Sequence, residues 1–174
     1  MDQINQLLSA LPPESEDLQT NLRRVLAGES LTPELTWGVA LTSAYFIQHE
    51  ELTAAVTEDA QAAGVPLDII SDARGAASIM GMNTVYYRFR HLMDSDAYNK
   101  RQANLRMTRM QKVATTKENF ELFSIGPAAL AGCELCLKVH EAAVKKGGMT
   151  DENIHDAVRI ASVLQGVAIA LEIE

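Results

Sequence analysis

Apolar or small side chains recur every three to four residues along most of the chain. One such series begins at Leu35 and ends at Phe46, and another begins at Ile154 and ends at Ala168. This spacing places the apolar side chains on one face of an α-helix. The pattern therefore predicts an all-α fold.

Residues typical of helix boundaries support the same prediction. Thr32 is followed by Pro33, and Thr150 is followed by two acidic residues. Each threonine can cap a helix N-terminus, where proline and acidic side chains are favoured. Gly64 and the glycine pair at 147–148 are expected to end helices.

The apolar periodicity weakens between about residues 94 and 117, where Asn, Arg, Gln and Thr are frequent. We expect a mostly irregular connection there, with room for one short helix around 105–113. The connection separates two helical halves of a single domain, 1–93 and 117–174.

The two halves resemble each other when the first is shifted by 84 positions. The pairs of identical residues are Gly64 and Gly148, Ile70 and Ile154, Asp72 and Asp156, Ala73 and Ala157, Ala77 and Ala161, and Ser78 and Ser162. We interpret them as two related helical units, with a chance match between two Ala-rich helices as the alternative. Cys133 and Cys136 then align with His49 and Leu52, so only the second unit carries thiols.

Composition narrows the class of protein. The chain has 174 residues, of which 47% are hydrophobic and 5% aromatic, and its formal net charge is −8. This profile is typical of one soluble globular domain whose helices pack closely through small side chains. Basic residues occur in runs no longer than pairs such as Arg23-Arg24, so we expect no nucleic-acid partner.

The N-terminal residues are polar and acidic, unlike a signal peptide, and we therefore expect a cytoplasmic protein. The most apolar run, at 160–171, is shorter than a membrane span and is interrupted by Ser162 and Gln165. We expect no membrane-spanning segment.

The candidate chemistry lies in a short segment that holds both cysteines. Cys133 follows Gly132, a natural break, and the residues from there to Lys146 are predicted to form a helix. Cys136 and His140 then share a face with Cys133. The helix N-terminus favours a thiolate at Cys133, and His140 can exchange a proton with Cys136. This arrangement is typical of a redox-active dithiol.

Other interpretations of the same residues compete with this one. The cysteines are inert core thiols, or they bind zinc with His140, although a closed zinc site needs a fourth ligand. A purely structural disulfide over so short a loop constrains the unfolded chain little. Upstream, Glu121 lies between two apolar residues and is either partly buried, with a histidine as one candidate partner, or a solvated side chain.

Several segments carry a resemblance to a known family. They are Phe120-Glu121-Leu122-Phe123-Ser124, Ala131-Gly132-Cys133, Cys136, Val139-His140-Glu141, Trp37-Gly38, Ser43-Ala44, Met80-Gly81-Met82-Asn83, Val85, Tyr87-Arg88 and Arg90. Together they resemble the alkyl hydroperoxidase D family of the carboxymuconolactone decarboxylase-like superfamily. The resemblance covers nearly the whole chain.

The resemblance implies an all-helical protein, commonly a homotrimer, that reduces a partner peroxiredoxin and has weak hydroperoxidase activity. Its electrons come from the dihydrolipoyl group of a lipoylated acyltransferase subunit of a 2-oxo acid dehydrogenase complex, with no cofactor or metal bound to the chain itself. By matching position, the dithiol is Cys133 and Cys136, and the proton relay includes Glu121 and His140.

The chain departs from the family pattern at one position of the motif. The family usually has a histidine directly before the second cysteine, where this chain has Leu135. Pro127, between Glu121 and the first cysteine, is expected to start or bend a helix. Which cysteine attacks is left open, because the helix start favours Cys133 and His140 favours Cys136.

Two other functions fit the sequence less closely. One is decarboxylation or another acid–base reaction on a small organic acid, which the wider superfamily implies and which needs no pair of thiols. The other is a non-catalytic helical oligomer in which Ala-rich faces form the subunit contacts.

Overall fold

The structure, a computed structural model, describes residues 1–173. Over that range it contains ten α-helices, one 3₁₀ turn at Pro13–Ser15, and no strand, which confirms the all-α fold. The helices are α1 (Asp2–Ser9), α2 (Glu16–Ala27), α3 (Pro33–Ile47), α4 (Glu50–Ala62), α5 (Leu67–Met93), α6 (Asp96–Asn99), α7 (Thr108–Gln111), α8 (Lys117–Leu130), α9 (Glu134–Lys146) and α10 (Asp151–Leu171).

The predicted helix boundaries are confirmed. The Thr32 hydroxyl accepts a hydrogen bond from the backbone N–H of Leu35, at 3.4 Å. At the start of α10, Thr150 and Asn153 form a reciprocal capping box, with bonds of 3.3 and 2.9 Å. Gly64 and Gly148, which follow α4 and α9, adopt left-handed φ values of 74° and 90°.

Helix positions follow the 84-residue shift that relates the two halves. Helices α3, α4 and α5 begin at residues 33, 50 and 67, while α8, α9 and α10 begin at 117, 134 and 151, so each pair of starts is 84 residues apart. The units pack on each other through α3, which contacts α8 and α10, and through α5, which contacts α8. The domain boundaries at 1–93 and 117–174 stay a prediction.

Small residues bring the two units into close contact, as the low aromatic content suggested. A Cβ atom at Gly38 in α3 would overlap the ring of Phe123 in α8. A Cβ atom at Gly126 in α8 would lie 2.6 Å from the Ser43 hydroxyl of α3. The α3–α8 crossing therefore depends on glycine on both helices, because any larger residue forces the helices apart.

The connection between the units is mostly irregular, as predicted, and contains the short helices α6 and α7. The α7 helix lies inside the predicted window, whereas α6 was not anticipated. A single buried carboxylate holds this connection against α5: Asp72 accepts the backbone N–H groups of Ala114 and Thr115, both at 2.8 Å. It also accepts the Thr115 hydroxyl at 2.7 Å and the Arg109 guanidinium at 2.6 Å.

Loss of this carboxylate is expected to destabilise the fold. Asp72→Ala leaves two backbone N–H groups and a guanidinium without their acceptor, which should lower the free energy of unfolding by about 2–4 kcal/mol. Asp68→Ala, which removes an exposed acidic residue from the first turn of the same helix, should lower it by no more than about 1 kcal/mol. Urea unfolding of both variants measures the difference, and equal losses would contradict the anchoring role.

The last helix, α10, is long and apolar enough to cross a membrane by length and composition alone. In this structure it instead packs against α2, α3 and α8, and its core side chains, among them Ile160, Leu164 and Val167, are buried there. Core helices of globular domains share this composition.

Candidate active site

The site forms at the corner between α8 and α9. Ala131 is the C-cap of α8, and Gly132, with a left-handed φ of 62°, reverses the chain. The backbone N–H of Cys133 then donates to the carbonyl of Ala128 at 3.0 Å, which closes the corner. Cys133 therefore occupies the N-cap of α9, which agrees with the prediction that it lies at the start of this helix.

Cys133 and Cys136 are joined by a disulfide, with their Cα atoms 5.2 Å apart. The Cys133 sulfur also accepts the backbone N–H of Cys136 at 3.3 Å, so that it caps the helix. After reduction of the disulfide, the same N–H group and the helix dipole would stabilise a thiolate at Cys133.

The two sulfur-bearing residues differ in their access to solvent. Cys133 is fully buried, whereas Cys136 retains 5% exposure and lines a cavity. A reagent that enters the cavity therefore meets Cys136 first. This difference bears on the question of which cysteine attacks, which the sequence left open.

A buried carboxylate and an imidazole lie on facing helices beside the disulfide. The Glu121 carboxylate of α8 is 2.6 Å from the Nδ1 atom of His140 in α9, and both side chains are buried. The solvated interpretation of Glu121 is therefore wrong. An ionised carboxylate only accepts hydrogen bonds, so a neutral imidazole paired with it has its proton on Nδ1 and its lone pair on Nε2.

Pro127 lies inside α8 and does not start it, in contrast to one of the two sequence expectations. Proline has no N–H group, so the carbonyl of Phe123 lacks its usual donor four residues later. The helix nevertheless runs from Lys117 to Leu130 without a break. Glu121 therefore stays in register with the corner.

A cavity of about 320 Å³ gives access to this cluster. Its walls are mostly apolar and come from α5, from the α7 region and from α9. The lining residues are Asn83, Tyr87, Met107, Met110, Leu135, Cys136, Val139 and His140. Leu135, the residue that departs from the family pattern, is 37% exposed and so adds an apolar surface where the family usually has an imidazole.

Side chains of α5 also form polar contacts with the corner between α8 and α9. Arg88 of α5 donates to the carbonyl of Ala131, and His91 lies 3.0 Å from the Glu134 carboxylate in the first turn of α9. Hydrogen bonds from Lys138 and then from His91 lower the pKa of Glu134. These contacts tie the cysteine-bearing corner to α5.

The structure thus brings Glu121, His140 and the cysteine pair together, while their catalytic roles stay predictions. The sequence singled out neither Met107 nor Met110 as part of the site. They belong to the irregular connection, where no motif indicated that the chain returns to the cysteines. Asn83 and Tyr87 entered only through the family resemblance.

Residues 97–173, which include both cysteines, match the carboxymuconolactone decarboxylase family. Relatives named alkyl hydroperoxide reductase AhpD are similar over nearly the whole chain. The Anaeromyxobacter dehalogenans (strain 2CP-C) protein is 43% identical over 173 residues, covering 99% of this chain and 92% of its own length. The Rhodospirillum centenum protein is 40% identical, with 98% and 91% covered. The Brucella anthropi protein is 39% identical, with 97% and 96% covered.

Proposed function

The chain belongs to the alkyl hydroperoxide reductase AhpD family, and we propose on that basis that it is a dithiol oxidoreductase that supplies electrons to a partner peroxiredoxin. One observation carries the proposal. A disulfide at a helix N-terminus presents one of its cysteines, Cys136, to a cavity that His140 also lines. The electron donor in the proposal is the dihydrolipoyl group of a lipoylated acyltransferase.

The reductive half-reaction begins with a donor thiolate that attacks the Cys136 sulfur. The bond between the two cysteine sulfurs breaks, and its electron pair moves to Cys133 as a thiolate. The capping contact supports this polarity, because the backbone N–H of Cys136 stabilises the leaving thiolate of Cys133. Burial of Cys133 supports it in a different way, because a donor thiolate cannot readily reach that sulfur. The second donor thiol then attacks the donor sulfur of the mixed disulfide, which releases Cys136 and leaves the donor as a cyclic disulfide.

The oxidative half-reaction runs with the same polarity. The Cys136 thiolate attacks a disulfide of the peroxiredoxin, and Cys133 resolves the mixed disulfide, which restores the internal disulfide. His140 accepts the proton of Cys136 at Nε2 when the thiol ionises and returns it to a departing thiolate. Glu121 holds the imidazole in the required tautomer through the 2.6 Å bond to Nδ1. Two electrons pass through the dithiol in each cycle.

A thiol count on the purified protein tests the proposed function. The oxidised protein should show no thiol that iodoacetamide alkylates, and dihydrolipoamide should expose two, as measured by intact mass. Treatment of the reduced protein with a hydroperoxide or with an oxidised peroxiredoxin should then leave no alkylatable thiol, because the disulfide forms again. If dihydrolipoamide exposes none while a strong chemical reductant exposes two, the lipoyl donor is wrong. If activity on small organic acids persists in the Cys133→Ser/Cys136→Ser double variant, the decarboxylase alternative is favoured.

We also propose that the protein is cytoplasmic, because the cytoplasm is the compartment in which thiols are kept reduced.

We propose a homotrimer as the assembled form. Exposed apolar residues occur on α5 and α9, among them Val85, Phe89, Leu92 and Val139, and subunit contacts would cover such a surface. Sedimentation equilibrium at micromolar concentration should give about three times the 19.0 kDa mass of one chain. A single species at the chain mass would contradict the trimer.

A further inference from the structure

The buried pair of Glu121 and His140 lies between two separate cavities. His140 lines the cavity beside the disulfide, and Glu121 does not. Glu121 instead lines a second cavity, of about 220 Å³, at the end of the α8–α9 pair that is away from the cysteine-bearing corner. The residues around the second cavity are Lys117, Glu118, Glu121, Ala143, Lys146 and Gly147. The two cavities have no lining residue in common.

One oxygen of the Glu121 carboxylate is open to solvent. Its Oε2 atom is paired with Nδ1 of His140 at 2.6 Å. Within residues 1–173 its Oε1 atom has no hydrogen-bond partner, yet it is not one of the two buried side-chain atoms that lack a partner, which belong to Thr36 and Asn83. Oε1 therefore provides part of the 6% exposure that Glu121 retains. Because Glu121 lines the second cavity, this oxygen is open to water there.

The second cavity opens to bulk solvent. Lys117, Lys146 and Gly147, which form its rim, are all exposed. In the part of the chain that the structure describes, neither lysine forms an ion pair, and His140 is the one basic partner of Glu121. No ammonium group therefore competes with water for the Oε1 atom.

We propose that the Glu121–His140 pair exchanges protons with solvent through the second cavity, an inference that rests on the proposed function. A protein partner that reaches Cys136 covers the cavity beside the disulfide and displaces its water. His140 then loses its contact with solvent on that side. Glu121 keeps its contact with water through Oε1, so a proton from Cys136 still has a path out of the closed site.

The proton steps along this path balance over one cycle. Nε2 of His140 accepts the proton of the Cys136 thiol, and the imidazolium passes its Nδ1 proton to the Glu121 carboxylate. The carboxyl group releases that proton to water in the second cavity, which leaves a neutral imidazole protonated at Nε2. When a thiolate departs, Nε2 donates its proton to the sulfur, and a proton from water returns through Glu121 to Nδ1.

Hydrogen exchange at His140 tests this path without any turnover. In the full-length oxidised protein with ¹⁵N-labelled histidine, the Nδ1–H signal of His140 is the one that His140→Ala lacks, and NMR measures its exchange with water. Ala143→Phe fills the second cavity, whereas Val139→Phe narrows the cavity beside the disulfide. Ala142→Phe, at an exposed position of the same helix, is the matched control.

We expect Ala143→Phe to slow this exchange by at least about tenfold, and Val139→Phe and Ala142→Phe to leave it within about twofold of the wild type. Lys146→Trp, which covers the rim from an exposed position, should also slow exchange and replaces Ala143→Phe if that variant does not fold. Equal slowing by Val139→Phe and Ala143→Phe would overturn the assignment, and so would exchange that neither Ala143→Phe nor Lys146→Trp slows.

The same variants connect the path to the reaction. Ala143→Phe should lower the rate with an oxidised peroxiredoxin, which covers the cavity beside the disulfide, by about three- to tenfold. Its reduction by dihydrolipoamide, a donor small enough to leave water in that cavity, should stay within about twofold of the wild-type rate. Equal losses in both reactions, or slowed exchange with no loss in either, would overturn the path. Failure of dihydrolipoamide to reduce the wild type counts against the proposed function alone, since exchange at His140 needs no electron transfer.

Discussion

Cys136→Ser is expected to abolish lipoamide-dependent turnover, with a loss on the order of 10³-fold or more, because a serine hydroxyl neither forms a disulfide nor ionises at neutral pH. Cys133→Ser should also stop the cycle, since the mixed disulfide then has no second thiol to resolve it. The two variants differ in the thiol that remains. Cys136, which lines the cavity, should react with iodoacetamide at least about tenfold faster than the fully buried Cys133.

These two variants are matched controls for each other, because each removes one sulfur atom and neither can form the internal disulfide. Circular dichroism should show the same helix content in both. A faster reaction of Cys133, measured in the Cys136→Ser variant, would reverse the assigned polarity of attack. Equal alkylation rates would mean that access to the cavity does not distinguish the sulfurs.

His140→Ala and Glu121→Ala are expected to lower lipoamide-dependent turnover by about 10²- to 10⁴-fold each, the usual effect of losing a general acid or base. Leu135 cannot transfer a proton, so no imidazole at that position replaces the lost group. The two variants should not be additive in combination, since Glu121 acts through the imidazole it orients. Steady-state rates across pH measure the effect.

His155→Ala, at an exposed position of α10, is the matched control and should keep the wild-type rate. Added imidazole should partly restore His140→Ala, because the cavity that the removed ring lined is open to small molecules. Rates near those of the wild type in both His140→Ala and Glu121→Ala, at every pH, would exclude these residues as the route by which protons reach Cys136.

Local sequence signals were sufficient for most of the fold. Helix caps form between residues within about one turn of each other, so both partners are neighbours in the sequence. This holds for the caps at Thr32 and Thr150 and for the glycines that follow α4 and α9. The position of Cys133 near the start of α9 could be predicted for the same reason, because Gly132 directly precedes it. The α6 helix was missed because four residues are too few to show a periodicity.

The remainder of the site depends on contacts between distant parts of the chain. Periodicity and burial suggested that Glu121 needs a partner, but only the packing of α8 on α9 selects His140, 19 residues away. Met107 and Met110 reach the cavity because Asp72 holds the connection through residues 37 to 43 positions away from it. Such contacts leave no regular spacing in the sequence, so the cavity wall could not be predicted.

The 84-residue offset allows the start of α9, which carries the redox centre, to be compared with the start of α4 in the same chain. At the start of α4, the Nδ1 atom of His49 accepts the backbone N–H of Leu52 at 3.3 Å, as the sulfur of Cys133 does for the equivalent N–H group in α9. In the first unit, Trp37 and Val56 occupy the positions equivalent to Glu121 and His140. The same capping contact therefore forms at the start of α4 without the dithiol, the carboxylate or the imidazole. The first unit therefore contributes to the redox centre through α5, which lines the cavity and contacts the cysteine-bearing corner, and carries no second dithiol.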